Sequence, residues 1–365
     1  MNRVLRGVRE FISPASVKHH SLPPLEAGLR PNSRLDQALP LTPPGEYEPD
    51  DVCVLPSGGI RFTAGSKVLA WESGDVRELA DVGGPAGPLV RRDDTLITGV
   101  EGRGLVAVGE DGKTTELCSD AAVERGVTDL AVRPDGSLVV VVGSTEVGAD
   151  GWPRALIAGD RSGRLITVDG GGAEVLAERL AWPSGVAVEP DGSLLVSLSH
   201  QQRIERRSPD HPDRGKAVLD RLAFYPGRIR VSPQGWWVAA PYLRNRATEL
   251  LLSEPEMRDD MINTVGEAQW LLPSLRRENI YLDPLQMGQL RVLGVLKPWA
   301  PPRSYGLVFL FGGDGRVIES HHSRADGNRH GITGVDEAGG RVVVAGKGCR
   351  TLLELRRDNG GTGAA

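Results

Sequence analysis

The chain writes nearly the same thirteen residues twice, "LAVRPDGSLVVVV" at 130–142 and "VAVEPDGSLLVSL" at 186–198. Each copy is an apolar run, a Pro-Asp-Gly turn and a second apolar run. Glycine in such a turn supplies the positive φ that a tight hairpin requires. Looser copies stand at 52–64, 89–100, 229–241 and 333–346, making six hairpins in one chain. A weaker strand pair follows each of the first five, at 67–80, 104–118, 163–177, 203–219 and 305–320; after the sixth only one strand remains, 350–357. A row of separate hairpins would leave six open sheet edges, each a template for unwanted pairing. Radial closure removes that problem, so the repeat predicts an all-β fold, a six-bladed β-propeller of four-stranded blades. The missing last strand is expected from the N-terminal side, within "LDQALPLT" at 35–42.

Composition agrees with many short strands: 47 glycines and 26 prolines punctuate the 365 residues. A net charge of -5 argues against nucleic acid as a partner. The three cysteines, Cys53, Cys118 and Cys349, form no CxxC pair and read as reduced structural thiols of a cytoplasmic protein. No apolar run reaches the roughly 18 residues of a membrane span. Residues 1–12 place Val4, Leu5, Val8, Phe11 and Ile12 at helical spacing, with Arg3, Arg6 and Arg9 between them. That spacing predicts an amphipathic N-terminal helix, docked on its own domain or lying on a membrane or protein surface. Seven prolines within 13–45 mark a wrapping segment, so residues 1–33 read as helix and wrap and 34–365 as the propeller.

Chain geometry says where chemistry can sit. In each blade the residues just before the innermost strand reach one face of the disc, and the Pro-Asp-Gly turn reaches the other. The loops after the second strand return to the first face. Two are long, 143–162 in blade three and 241–304 in blade five. A concave mouth flanked by long loops is the default ligand site. Leu250, Leu251, Met257, Met261, Val265 and Trp270 suggest amphipathic helices in the longer insertion, either a lid or a brace against the rim. Met257, Met261 and Met287 are candidates for an adaptable apolar wall.

Segments such as "VTDLAVRPDGSLVVV", "LAWPSGVAVEPDGSLLVSLSHQQRI", "YGLVFLFGGDGRVIES" and "HGITGVDEAGGRVVVAG" resemble strictosidine-synthase-like proteins and their gluconolactonase/regucalcin relatives. The resemblance spans about residues 34–357 and implies the same six-bladed fold. In the gluconolactonase branch it implies a divalent metal at the mouth, held by carboxylates and Asn side chains ahead of inner strands. Counting back equally from each turn, those positions are Asp50, Ala86, Thr128, Ser184, Gly227 and Gly331. The family's Glu corresponds to Asp50, its two Asn to Thr128 and Ser184, and its blade-five Asp to Gly227, beside Arg228. Hard cations take about 6–8 oxygen ligands, several charged. This ring implies no native metal ligand set, although weak binding of a divalent cation such as calcium stays open. The catalytic Glu of the strictosidine synthases corresponds to Thr333, and a hydroxyl cannot act as their general base.

No GxSxG, HExxH or P-loop is present. Three readings follow from the resemblance. The first is a lactonase- or esterase-type hydrolase in which Asp50 or Asp129 activates water while His330 or Arg228 stabilises negative charge. Thr128, Ser184, Arg228 and Thr333 would then bind substrate. The second is a non-catalytic propeller that binds a small organic molecule, and the third is a scaffold; a Pictet–Spengler-type synthase ranks below all three. His200 is placed near the mouth, and His321 and His322 are expected in solvent at the end of an outer strand.

Overall fold

The computed structural model describes residues 29–276, 304–324 and 326–357, together with the backbone of 291–292 and 295–296. The N-terminal helix proposed for 1–12, Met287 and most of the second half of the blade-five insertion lie outside these residues.

Six four-stranded sheets form the blades of a propeller. Their inner strands are Pro49–Val54, Ala86–Arg92, Val127–Val132, Pro183–Val188, Ile229–Ser232 and Ile332–Ala338. The Pro-Asp-Gly turns take the predicted backbone: Gly136 has φ 85 and Gly192 has φ 83. Alternation along the inner strands sorts their side chains. Val52, Leu89, Leu130, Val186, Ile229 and Val335 turn sideways between blades and are at most 1% exposed. Their neighbours face the channel.

Closure occurs where the sequence placed it. Leu39–Pro40 completes blade six as its outermost strand, pairing with Glu354 and Leu353. The segment before it runs across blade five: the Asn32 side chain bonds the Ser320 carbonyl and the His322 amide. Asp36 accepts bonds from the Ser323 hydroxyl and the Asn328 amide, and Leu35 is fully buried.

The two insertions fold against each other. The first forms the helix Trp152–Ala158, and the second forms Arg246–Ser253 and Pro255–Thr264. Trp152, Leu156, Ile157, Leu251, Trp270 and Leu272 make one buried cluster with Trp182 and Tyr225, with Met261 and Val265 packed against it. Leu250 and Met257, expected on the inner face, point outward.

His321 and His322 are not in solvent; both are fully buried. The end of the outermost strand of blade five, Val317–Ser323, carries them beneath the N-terminal segment, which a blade-by-blade reading leaves out. His322 bonds the Tyr305 hydroxyl through Nδ1. Burial pushes its pKa down to about 4, with the His321 charge acting in the same direction. The unfolded chain therefore takes up this proton below about pH 6.5, while the folded one does not. Stability from His322 is complete above pH 6.5 and is lost as pH falls towards 4. We expect on the order of 2 kcal/mol to be lost between pH 7 and pH 5. Urea unfolding of His322→Gln should show a correspondingly flatter profile over that range.

Candidate functional site

The mouth is built from irregularities in the inner strands. Register breaks fall at Asp50, Thr128, Ser184 and Thr333, where two residues of the inner strand oppose one of its neighbour. In blade five Gly227 and Arg228 both bond Ala239, and in blade two the irregular step contains Gly87. Such bulges re-aim side chains. These six bulge residues, Asp50, Gly87, Thr128, Ser184, Gly227 and Thr333, all line one cavity of about 580 Å³. Two positions counted from the turns are thereby corrected: the blade-two and blade-six members are Gly87 and Thr333, not Ala86 and Gly331. The two-residue turns of those blades, Asp93–Asp94 and Gly339–Gly340, have no Pro to anchor the count, as Pro233 does in the equally short turn of blade five.

One side of the cavity is aromatic. Trp152, Trp182 and Tyr242 line it, and the Trp152 and Tyr242 rings stack 3.9 Å apart. Trp182 holds φ at 51, a region costly for a bulky side chain. His200 stacks behind Trp182 at 5.5 Å, and burial lowers its pKa to about 3, so it is neutral. From the second insertion, Pro241, Tyr242 and Leu275 reach the cavity, while its helices brace Trp152 from behind.

Charge enters from below. One step down each inner strand the channel-facing residues include Asp51, Asp129 and Arg228; two steps further lie Arg230 and Asp336. Arg228 reaches up to the ring. Its Nη2 donates to Asp50 Oδ2 at 2.5 Å, Nη1 to the Asp50 and Thr333 carbonyls, and Nε to the Thr128 carbonyl at 3.0 Å. One side chain of blade five thus ties blades one, three and six across the axis. Arg230 repeats the device a layer deeper, with Nη1 on both oxygens of Asp129 and Nη2 on Asp51 Oδ2. Burial opposes the Arg230 charge, but Asp129 and Asp51 outweigh it and its pKa is raised.

The same aspartates staple neighbouring blades. Asp51 Oδ2 accepts the Leu89 amide at 2.9 Å and Asp129 Oδ2 the Val186 amide at 3.0 Å. Asp336 Oδ2 accepts the Val54 amide at 2.7 Å. Gly334 leaves the room Asp51 needs, since a Cβ there would come within 2.3 Å of Asp51 Oδ1.

The sequence-selected residues separate into two groups. Asp50, Thr128, Ser184, Arg228 and Thr333 meet at the cavity. Asp129 does not reach it; it is fully buried and chelated by Arg230. His330 does not reach it either. Its Nδ1 pairs with the Ser304 hydroxyl and its Nε2 with the Arg324 carbonyl, between blades five and six. Lys347, which the motifs did not single out, bridges Asp50 Oδ1 and Asp150 Oδ1, each at 2.9 Å. It lies in the loop after "RVVVAG" of blade six, and the signal that could have found it is its place after an inner hairpin.

Asp50 is therefore occupied on both oxygens. Burial alone would raise its pKa; the Arg228 and Lys347 charges reverse this and hold it well below the usual carboxylate range. Lys347 is held above its ordinary value, first by Asp50. A divalent metal does not fit this ring. The oxygens that would ligate it already bond a guanidinium, and the blade-five position is Gly227. Among the described residues no group of three or more His, Cys, Asp or Glu side chains is arranged to hold a metal ion. Among them, too, no helix is long and apolar enough to cross a membrane.

No family model matches the chain. It is 28% identical over 292 residues to the adipocyte plasma membrane-associated protein of Gallus gallus, covering 71% of this chain and 66% of that one. It thus spans about two thirds of that relative's length. A strictosidine synthase-like 7 protein of Arabidopsis thaliana is 27% identical over 145 residues, 38% of this chain and 39% of that one. Among solved structures, a gluconolactonase from Xanthomonas campestris superposes with a TM-score of 0.56 at 15% identity, covering 88% of this chain and 91% of its own. A regucalcin from Agrobacterium tumefaciens, described as a calcium-binding protein, gives 0.53 at 13%, covering 89% and 93%. The chain is a six-bladed propeller similar in sequence to adipocyte plasma membrane-associated and strictosidine synthase-like proteins, with the fold of gluconolactonases and regucalcin.

Proposed function

We propose that the mouth cavity binds a small organic molecule through an apolar, stacking face, and that this binding, rather than lactone or ester hydrolysis, is its function. The observation that carries the reading is the state of Asp50. A general base needs a pKa near the working pH and a free lone pair. Asp50 lacks the first, because the Arg228 and Lys347 cations that bond its two oxygens hold its pKa well below that range, and no other group offered for the hydrolase reading opens on the cavity as a base. Thr333 supplies no base for a condensation reaction. What remains suits recognition: the Trp152, Trp182 and Tyr242 wall for an apolar ring, and the Ser184 hydroxyl and Lys347 ammonium for a carbonyl or carboxylate oxygen. The relative's name also supports a second reading, peripheral membrane association through residues 1–12 in place of the cytoplasmic residence expected from the cysteines. Flotation of the full chain with liposomes, beside a chain lacking 1–12, tests it; equal behaviour of both removes it.

Native mass spectrometry of the purified chain tests the main reading. We expect a small organic molecule that is released on denaturation and is absent from Ser184→Phe, which fills the cavity. A panel of lactones and aryl esters should turn over at background rate, with or without chelator. Turnover by the wild type that Asp50→Asn abolishes without loss of fold would restore the hydrolase.

A further inference from the structure

We propose that the guanidinium of Arg228 is a tethered cation filling an oxygen cage that otherwise takes a hard divalent metal ion, so that the propeller carries its own counter-ion. Four oxygens from three other positions of the ring converge on this one group: the carboxylate and carbonyl of Asp50 and the carbonyls of Thr128 and Thr333. Carbonyl and carboxylate oxygens aimed at a common point cannot satisfy one another. They need donors or a cation, and they are hard-cation ligands by type. Asp51 adds an independent sign. Its carboxylate lies 3.7 Å from Arg228 Nε, is fully buried, and leaves Oδ1 without a hydrogen-bond partner among the described residues.

Charge balance explains why the occupied cage refuses a metal. The cage already holds two cations against its carboxylates: Arg228 pairs with Asp50 and Asp51, and Lys347 pairs with Asp50 and with the outlying Asp150. A divalent ion added to that set would be uncompensated in a buried place. Removing Arg228 leaves the Asp50 and Asp51 carboxylates short of a cation and opens the cage. Arginine suits the position better than lysine, because its planar fork offers five donors and stays charged at any working pH. The cage and the cation come from different blades, so the ion tie across the axis is permanent rather than dependent on calcium in solution.

The test uses full-length wild type, Arg228→Ser and Arg228→Gln, each melted in chelator and in millimolar calcium, with calcium calorimetry alongside. The wild type should melt at the same temperature in both and give no binding heat. At least one variant should melt lower in chelator, rise by about 5 °C in calcium and bind one ion per chain. Stoichiometric calcium binding by the wild type overturns the proposal. So do variants that fold but ignore calcium, and so does failure of both variants to fold even when calcium is present.

Discussion

A chain lacking residues 1–45 will not unfold cooperatively. In the closed ring, Leu39 and Pro40 pair with the last strand, and the Leu41 amide donates to the Leu352 carbonyl at 2.9 Å. Thr42 accepts from the Thr351 hydroxyl through its carbonyl and from the Leu352 amide through its own hydroxyl, in a buried setting, and the Trp71 indole of blade one donates to the Leu41 carbonyl. The deletion also uncovers the surface under Leu35 and Ala38, now buried with Trp237, Val308 and Leu353. It opens a ring whose closure removes the sheet edges, and it strips the strand that joins blade six to blade one. Differential scanning calorimetry should show a broad, weak transition in place of a single sharp one, with near-ultraviolet dichroism lost. A truncated chain that melts sharply within about 2 °C of the full one would refute closure from the N-terminal side.

The second large effect is expected at Arg230. Its guanidinium is the shared partner of two fully buried carboxylates, Asp51 and Asp129, and breaking such a pair leaves charge without compensation. Arg230→Met should cost about 3–5 kcal/mol. The loss belongs to the orphaned carboxylates, so adding Asp51→Asn and Asp129→Asn should recover more than half of it. Asparagine keeps an acceptor oxygen for the Leu89 and Val186 amides, so the blade staples survive. Urea unfolding of the single and triple variants checks both parts. A cost below about 1 kcal/mol for Arg230→Met would mean that the axial network contributes little to stability.

Much of the architecture was legible because it is written in periodic signals. Alternating apolar runs, Gly turns and a missing last strand identify blades and closure without any tertiary information. The mouth was legible to the level of which strands converge there, which is why Asp50, Thr128, Ser184, Arg228 and Thr333 were found. It was not legible to the level of single steps. A count from the turn needs a fixed anchor, and blades two and six lack the Pro that supplies it elsewhere. The break in strand register is the better ruler, and it appears only when pairing is known. Asp129 was misplaced for a related reason. After a bulge its side chain points into the channel one layer below the ring, a difference of one residue that no composition or motif records. Arg230 escaped notice because an arginine in an apolar strand reads as an outward residue until its two partners, 101 and 179 positions away, are brought in. His330 was chosen for proximity in sequence to a strand start, but its ring turns towards the Ser304 hydroxyl and the neighbouring blade.

Thr128 and Ser184, where the resemblance places metal-binding asparagines, line the cavity as hydroxyls. The Thr128 hydroxyl donates to the Pro183 carbonyl at 2.6 Å and so joins blades three and four. In this account, loss of the metal ligands, gain of Arg228 and loss of a usable base at Asp50 are one change, because the arginine that replaces the ion also fixes the carboxylate.

The axial position itself gives the most direct test. Crystals of the full chain grown in calcium should show a planar guanidinium between Asp50 and the carbonyls of Thr128 and Thr333, with no anomalous peak there after a lanthanide soak. A metal peak at that point, with Arg228 turned out of the ring, would contradict the account.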